Sequence, residues 1–259
     1  MSLAESVILG LVQGITEFLP ISSSGHLIII RELLNIPLEG SLIFDIFLNT
    51  ATLLAVIFVF RRYLMLIIND LFTQGFSTRN KNLILAVIIG TIPAALLGYF
   101  LGDKIEGAFR SVKLVALALI AGSIIMYFAG REQTKGGITP LKGFIVGIFQ
   151  SLALIPGISR SGSSISGGVI SGLSREEAIR FSFLLYIPVS FGAALKAYLD
   201  VQKMHSILIF NFPVILSFLI ALVSGIFALR FLMKYFIRNS FTPFIIYRLA
   251  LAAIILIFL

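Results

Sequence analysis

The chain has 259 residues, 58% of them hydrophobic and 12% charged, with a formal net charge of +8 and a mean hydropathy of +1.06. Ordinary globular domains carry about 25% charged residues, and a soluble fold of this size has too little polar surface for such a composition, so the chain reads as an integral membrane protein. Disordered, collagen-like, coiled-coil and disulfide-scaffold classes are excluded, and with no cysteine and only His26 and His205 there is no thiolate or multi-histidine metal centre.

The N-terminal stretch 2–18 is apolar, but it has no basic leading region and carries Glu17, so it does not read as a cleaved signal peptide. With 22–34 it forms a pair of short helices interrupted by Leu19-Pro-Ile-Ser-Ser-Ser-Gly25. Each piece is too short to cross a bilayer, which takes about 17–25 residues, so the pair predicts a re-entrant hairpin. Spanning helices are expected near 43–60, 81–101 and 112–129. A second broken pair follows at 140–154 and 162–172, interrupted by Ile155-Pro-Gly-Ile-Ser-Arg-Ser-Gly162, and three more spans near 181–199, 207–230 and 244–259. The fold expected is thus all-α and polytopic, with six transmembrane helices and two re-entrant hairpins in a single membrane domain.

The two breaks are related. A shift of 137 residues aligns Gly10-Leu-Val-Gln13 with Gly147-Ile-Phe-Gln150 and Ile21-Ser-Ser-Ser-Gly25 with Ile158-Ser-Arg-Ser-Gly162. Seven identities fall within residues 10–28, which predicts internal repeats of about 1–129 and 138–259. Three spans per repeat is an odd number, so the second repeat is inverted. Loop charge gives the sidedness. Arg61–Lys81, Gly130–Lys142, Ser174–Arg180 and Arg230–Pro243 hold twelve Lys and Arg against four acids, whereas the opposite side holds six and seven. The basic loops belong in the cytoplasm, so both termini lie outside. His205 reads as a loop histidine, and Arg248 as a snorkelling residue near the cytoplasmic end of the last helix.

Gln13, Glu17, His26 and Arg160 lie in otherwise apolar surroundings. A charge at bilayer depth costs about 2.5–3.5 kcal/mol even on the lenient scale, so these are functional candidates. Gln13 and Glu17, four residues apart, share a helix face. Pro20 stops that helix, Ser22 caps the next, and His26 falls in its first turn. The second break adds one arginine to the same design. A helix N-terminus with free N–H groups, serine hydroxyls and a guanidinium suits phosphate. Bringing the tips together assembles an acid/base, a nucleophile and an anion clamp, the parts for phosphoryl transfer. Plainer readings stand beside these: Gln13 as an interhelical hydrogen bonder, Glu17 as an ion-pair partner of Arg160, the serines as packing residues.

Gln13-Gly-Ile-Thr-Glu17-Phe-Leu-Pro-Ile-Ser-Ser-Ser-Gly-His26 and Pro156-Gly-Ile-Ser-Arg-Ser-Gly-Ser-Ser164 resemble the two signature motifs of the bacterial undecaprenyl pyrophosphate phosphatase (bacitracin-resistance) family, and the resemblance extends over the whole chain. It implies removal of the terminal phosphate from a C55 lipid pyrophosphate, at the outer face of the bacterial inner (plasma) membrane, with a divalent cation (Mg or Ca). Carried over, the catalytic positions are Glu17, Ser23, His26 and Arg160, with Gln13 and Glu17 toward the metal. Ser22, Ser24, Gly25, Ser159, Ser161, Gly162, Ser163 and Ser164 are expected around the phosphates. Gln13 stands where the family pattern also allows an acid, and Ser164 where it closes on threonine. Ser23 or a water is the attacking group. Lipid pyrophosphate, membrane lipid and a second copy of the chain are the expected partners, with no nucleic acid. The rival function is a lipid-phosphate flippase or other carrier, since inverted repeats with broken helices also build transporters.

Overall fold

The computed structural model describes residues 2–36, 41–72, 77–109, 111–130, 136–203, 211–236 and 239–259. His205 and the loop charges Glu39, Arg110, Arg131, Glu132, Lys135 and Arg238 lie outside them. The described chain is helical: α1 (Leu3–Thr16), α2 (Ser23–Leu34), α3 (Ser41–Phe72), α4 (Thr78–Ala108), α5 (Val112–Ala129), α6 (Pro140–Ser151), a 3₁₀ turn (Leu152–Leu154), α7 (Arg160–Ile170), α8 (Arg175–Lys203), α9 (Phe212–Phe236) and α10 (Thr242–Phe258). Five of these, α3, α4, α5, α8 and α9, are long and apolar enough to cross a membrane, and α10 is a shorter apolar helix. The protein is an all-α, multi-pass membrane protein.

Helix ends follow local chemistry. Ser2 caps α1 in a full capping box with Glu5, Ser77 caps α4, and Thr139 caps α6 ahead of Pro140 at its first position. The basic stretch expected as a loop at 61–81 is mostly helix. α3 runs on to Phe72 and α4 starts at Thr78, because hydropathy marks the membrane-embedded part of a helix and not its end. At 1.5 Å per residue, the 32 residues of α3 extend roughly 48 Å, well beyond a hydrocarbon core of about 30 Å. Arg31 and Asp45, two of the charges on the side opposite the cytoplasmic loops, form an ion pair joining α2 to α3, with Arg31 buried.

The short helices pair as two hairpins, α1 with α2 and α6 with α7, and each hairpin lies against a long helix of the other half: α1 on α9, α6 on α4. α3 packs on α9 as α8 packs on α4, while α3 meets α8 and α5 meets α10. Exchanging α1–α5 for α6–α10 therefore maps these pairings onto one another. The hairpin contacts depend on small residues one turn apart, Ser6, Gly10 and Gly14 on α1 and Gly143, Gly147 and Ser151 on α6, all buried. A Cβ at Gly14 would come 2.6 Å from the Ala221 carbonyl oxygen, and one at Gly147 would come 2.2 Å from that of Gly90. Backbones touch here, as small-residue stripes allow when lipid gives no hydrophobic drive to helix association. The main apolar cluster, with Phe18 edge-on to Phe183 at 5.7 Å between ring centroids, forms a wall beside the hairpin tips.

Candidate active site

The site forms where the two breaks meet. Ser22 and Ser159 are the N-caps of α2 and α7, with φ of 74° and 77°, a backbone region that costs a non-glycine residue about 1–3 kcal/mol. In each, the cap hydroxyl accepts from the N–H of the third helical residue: Gly25 N to Ser22 Oγ at 3.3 Å, Gly162 N to Ser159 Oγ at 3.2 Å. Further bonds cross between the breaks. Gly157 N donates to Ser22 Oγ at 3.1 Å, and Ser161 Oγ donates to the Leu19 carbonyl at 3.1 Å. The strained turns thus persist because the opposite hairpin fixes them.

Arg248 completes this junction, and corrects the sequence reading of it as a snorkelling residue. It is the largest fully buried side chain, at 0% exposure. It donates to the Pro20 carbonyl at 3.1 Å and the Gly157 carbonyl at 2.9 Å, equivalent positions under the 137-residue shift, and to the Leu119 carbonyl and Ser123 Oγ. It is the seventh of the 17 residues of α10, one-third of the way along, and its turn of the helix faces the hairpin tips, so the short path was inward.

Glu17 organises the cluster between the tips. Its Oε2 accepts from Ser23 Oγ at 2.5 Å and from Gln13 Nε2 at 3.1 Å, and its Oε1 accepts from Arg160 Nη2 at 2.8 Å. The carboxylate is 9% exposed, Gln13 3%. Ser23 is the first residue of α2 and Arg160 the first of α7, so both helix N-termini, with their unused first-turn N–H groups and positive dipole ends, border the same space. The Nε and Nη1 of Arg160 are buried and have no hydrogen-bond partner among the described residues. Its guanidinium lies 3.7 Å over the centroid of the Tyr186 ring and 5.5 Å from that of Phe183. Such a constellation can deprotonate a hydroxyl, direct it at an electrophile and bind an anion on two nitrogens.

The structure therefore brings Gln13, Glu17, Ser23 and Arg160 into direct contact. His26 faces elsewhere: its Nδ1 meets the Ser22 carbonyl oxygen at 2.7 Å and its Nε2 the Tyr247 hydroxyl at 2.7 Å. Ser24, exposed, borders the tip beside Ser22. Gly25 and Gly162 supply the capped N–H groups, and a Cβ at Gly25 would come 3.0 Å from Val115. Ser163 and Ser164 turn inward, bonding the Ser159 and Arg160 carbonyls and, for Ser164, Ser182. Tyr186, Asn49, Tyr247 and Arg248 were not singled out from the sequence as site residues. For Arg248 the same burial rule that marked Arg160 was available; the others needed the fold.

A divalent cation fits the donor chemistry. Glu17, the Gln13 amide oxygen and the Ser23 hydroxyl offer hard oxygen ligands, and magnesium is commonly held by one or two carboxylates plus substrate phosphates. Among the described residues no cluster of three or more His, Cys, Asp or Glu exists, so substrate oxygens would complete the sphere.

Comparison with known proteins meets this geometry. The chain is 40% identical to an undecaprenyl-diphosphatase of Elusimicrobium minutum (strain Pei191), covering 99% of this chain and 98% of that protein. It is 39% identical to an undecaprenyl-diphosphatase of Alteromonas mediterranea, covering 100% and 99%. Residues 6–254, which include both hairpins, the Glu17 cluster and Arg248, match the family described as Bacitracin resistance protein BacA, and the chain belongs to that family.

Proposed function

We propose that this protein is a membrane phosphatase that hydrolyses undecaprenyl, or a similar polyprenyl, pyrophosphate to the lipid monophosphate and inorganic phosphate, returning the lipid carrier to cell-wall synthesis. The observation that carries this reading is the 2.5 Å hydrogen bond from Ser23 Oγ to Glu17, beside a guanidinium with two buried nitrogens unpaired. The undecaprenyl-diphosphatases to which the chain is similar supply the substrate class.

In the proposed reaction Glu17 takes the Ser23 proton as Oγ attacks the terminal phosphorus in line. The bond from that phosphorus to the bridging oxygen breaks, and the lipid monophosphate leaves with the electron pair. Glu17 passes that proton to the departing bridging oxygen and is a carboxylate again. Water then attacks the phosphoserine phosphorus and gives its proton to Glu17, the P–Oγ bond breaks, and Ser23 Oγ takes that proton back as phosphate leaves. Arg160 Nε and Nη1, with the first-turn N–H groups of α2 and α7 that the caps leave unused (Ser23, Ser24, Arg160 and Ser161), hold the phosphate oxygens as charge builds on them. His26, tied to Ser22 and Tyr247, supports the first turn. A divalent cation at Glu17 and Gln13 would offset phosphate charge.

Crosswise pairing of two five-helix halves supports an inverted repeat of about 1–129 and 138–259, with α1–α2 and α6–α7 as re-entrant hairpins and six spans including α10. Loop charge supports an extracytoplasmic position for both termini, and likeness to the family supports a catalytic opening on the extracytoplasmic side of the bacterial inner membrane. Cysteines at Ser2 and Thr78 then label from opposite sides of intact cells; labelling of both from one side overturns the topology. The reading also includes a second copy of the chain as partner, measured by light scattering of the detergent-solubilised protein. A carrier shares the crosswise halves but has no use for a hydroxyl bonded to a buried carboxylate.

The test is phosphate release from undecaprenyl pyrophosphate by the purified protein in detergent with Mg²⁺ or Ca²⁺. Release that stops on chelation is expected. No release under either cation, with the lipid transported intact across vesicles, would overturn the phosphatase reading.

A further inference from the structure

We infer that Tyr186 is a positioning residue for Arg160, locked in place from the other half of the molecule by Asn49 and Thr52; this deepens the phosphatase reading and rests on it. Arg160 projects from the first turn of α7, and its one protein hydrogen bond, to Glu17, fixes a single corner of the guanidinium. One bond leaves the plane free to rotate about it. The Tyr186 ring, face-on at 3.7 Å, fixes that plane, since a guanidinium stacks flat on an aromatic face.

The platform itself is rigid. Tyr186 is 2% exposed, and its hydroxyl meets Thr52 Oγ1 at 3.0 Å and both oxygens of Asn49. Thr52 in turn donates to the Asn49 carbonyl at 2.9 Å, so the phenol enters a closed hydrogen-bonded corner on α3. A phenolic proton lies in the plane of its ring and here points into that corner. It cannot reach a phosphate held above the ring face, which excludes Tyr186 as an acid for the leaving group. What remains is orientation. Without the platform, two buried unpaired nitrogens would rotate toward the nearest carbonyl or carboxylate oxygen, as unsatisfied donors do. With it, they stay presented to an anion.

Asn49 and Tyr186 are also separated by 137 residues, the shift that relates the two motifs, and they meet where α3 crosses α8. One repeat thus contributes the tether and the other the platform, so the orientation of Arg160 depends on both halves.

The experiment is a double-mutant cycle on the full-length protein in detergent: parent, Tyr186→Leu, Arg160→Lys and the double variant, with Tyr186→Phe alongside. Two readouts are taken, kcat/KM for a prenyl pyrophosphate and affinity for farnesyl methylenediphosphonate, which cannot be hydrolysed. Tyr186→Leu is expected to lose about 10-fold in both. Tyr186→Phe keeps the ring but removes its tether to Asn49 and Thr52, and should lose about 3-fold, less than Leu; a Phe protein equal to the parent overturns the tether's part in the inference. In the Arg160→Lys background, Tyr186→Leu should change either readout less than about 2-fold, because the group it orients is gone. A multiplicative loss in that background, or a Tyr186→Leu protein within about 2-fold of the parent, overturns the inference. Where Leu does not elute as a single species, Tyr186→Met fills the volume without a π face and takes its place. A parent that releases no phosphate defeats the phosphatase reading alone, since analogue affinity still decides the cycle.

Discussion

The two hairpins share a backbone and differ in chemistry. Each ends in a serine N-cap with positive φ whose hydroxyl takes a glycine N–H, and each lies against a long helix of the opposite half through a stripe of small residues. On this common frame the first hairpin carries Glu17 and Ser23, where the second carries Leu154 and Arg160. The duplicated glutamine makes the contrast sharpest. Gln13 bonds to Glu17, whereas Gln150, equally buried, has neither its Nε2 nor its Oε1 paired among the described residues. The same turn geometry thus occurs twice, and a few side chains set the two apart: one turn carries a carboxylate and a hydroxyl in contact, the other a guanidinium with two unpaired nitrogens among the described residues.

This division can be broken most severely at Ser23. Ser23→Ala should lower phosphate release by on the order of 10³-fold or more and abolish any trapped phosphoenzyme, as for other nucleophiles. Substantial residual turnover without a phosphoenzyme would assign the attack to water. Glu17→Gln keeps shape and hydrogen bonding while removing the charge, and turnover should fall by ~10²-fold or more with the elution profile unchanged. Near-normal rates at saturating divalent cation would remove Glu17 from the reaction. Arg160→Lys keeps the charge but not the planar fork, and should lose about 2–4 kcal/mol of transition-state stabilisation. Release within about threefold of the parent would leave Arg160 a structural ion-pair partner of Glu17. The glutamines give the finest contrast. Gln13→Leu should cost roughly 10-fold through its bond to the charged Glu17, whereas Gln150→Leu should leave turnover within about 2-fold and raise thermal stability by removing an unpaired polar group. Equal losses at both positions would mean that the second hairpin is also a reacting tip.

Much of this was legible in the sequence. Residues 22–34 and 140–154 carry Ser22 before an apolar run and Pro140 at a helix start, and the helices begin within a residue of these signals. The Glu17–Ser23–Arg160 convergence followed from two motifs related by one shift. What escaped the sequence was everything requiring distant helices to face each other. Asn49 and Tyr186 differ in residue type, and nothing local marks either; their pairing exists only because α3 crosses α8. His26 was placed with the reacting groups by its neighbours along the chain, but a residue three positions beyond Ser23 on a helix points about 60° away, here to Tyr247 on α10. Arg248 was misread for a related reason. Sequence position gives the depth of a residue along a helix, but not the face it turns to its neighbours.

The burial of Arg248 also bears on when the enzyme comes into being. Synthesis runs from the N-terminus, and α10 follows every other described helix, so both hairpins emerge and insert before the guanidinium that ties the Pro20 carbonyl to the Gly157 carbonyl. Until that residue arrives, two strained serine turns face each other without their shared donor. The junction is thus completed only once α10 has followed both hairpins into the membrane, and a chain interrupted before Thr242 would carry Glu17, Ser23 and Arg160 and still lack the donor that ties the Pro20 and Gly157 carbonyls together. Order of synthesis thereby becomes order of assembly, with the two turns made first and their shared donor supplied afterwards.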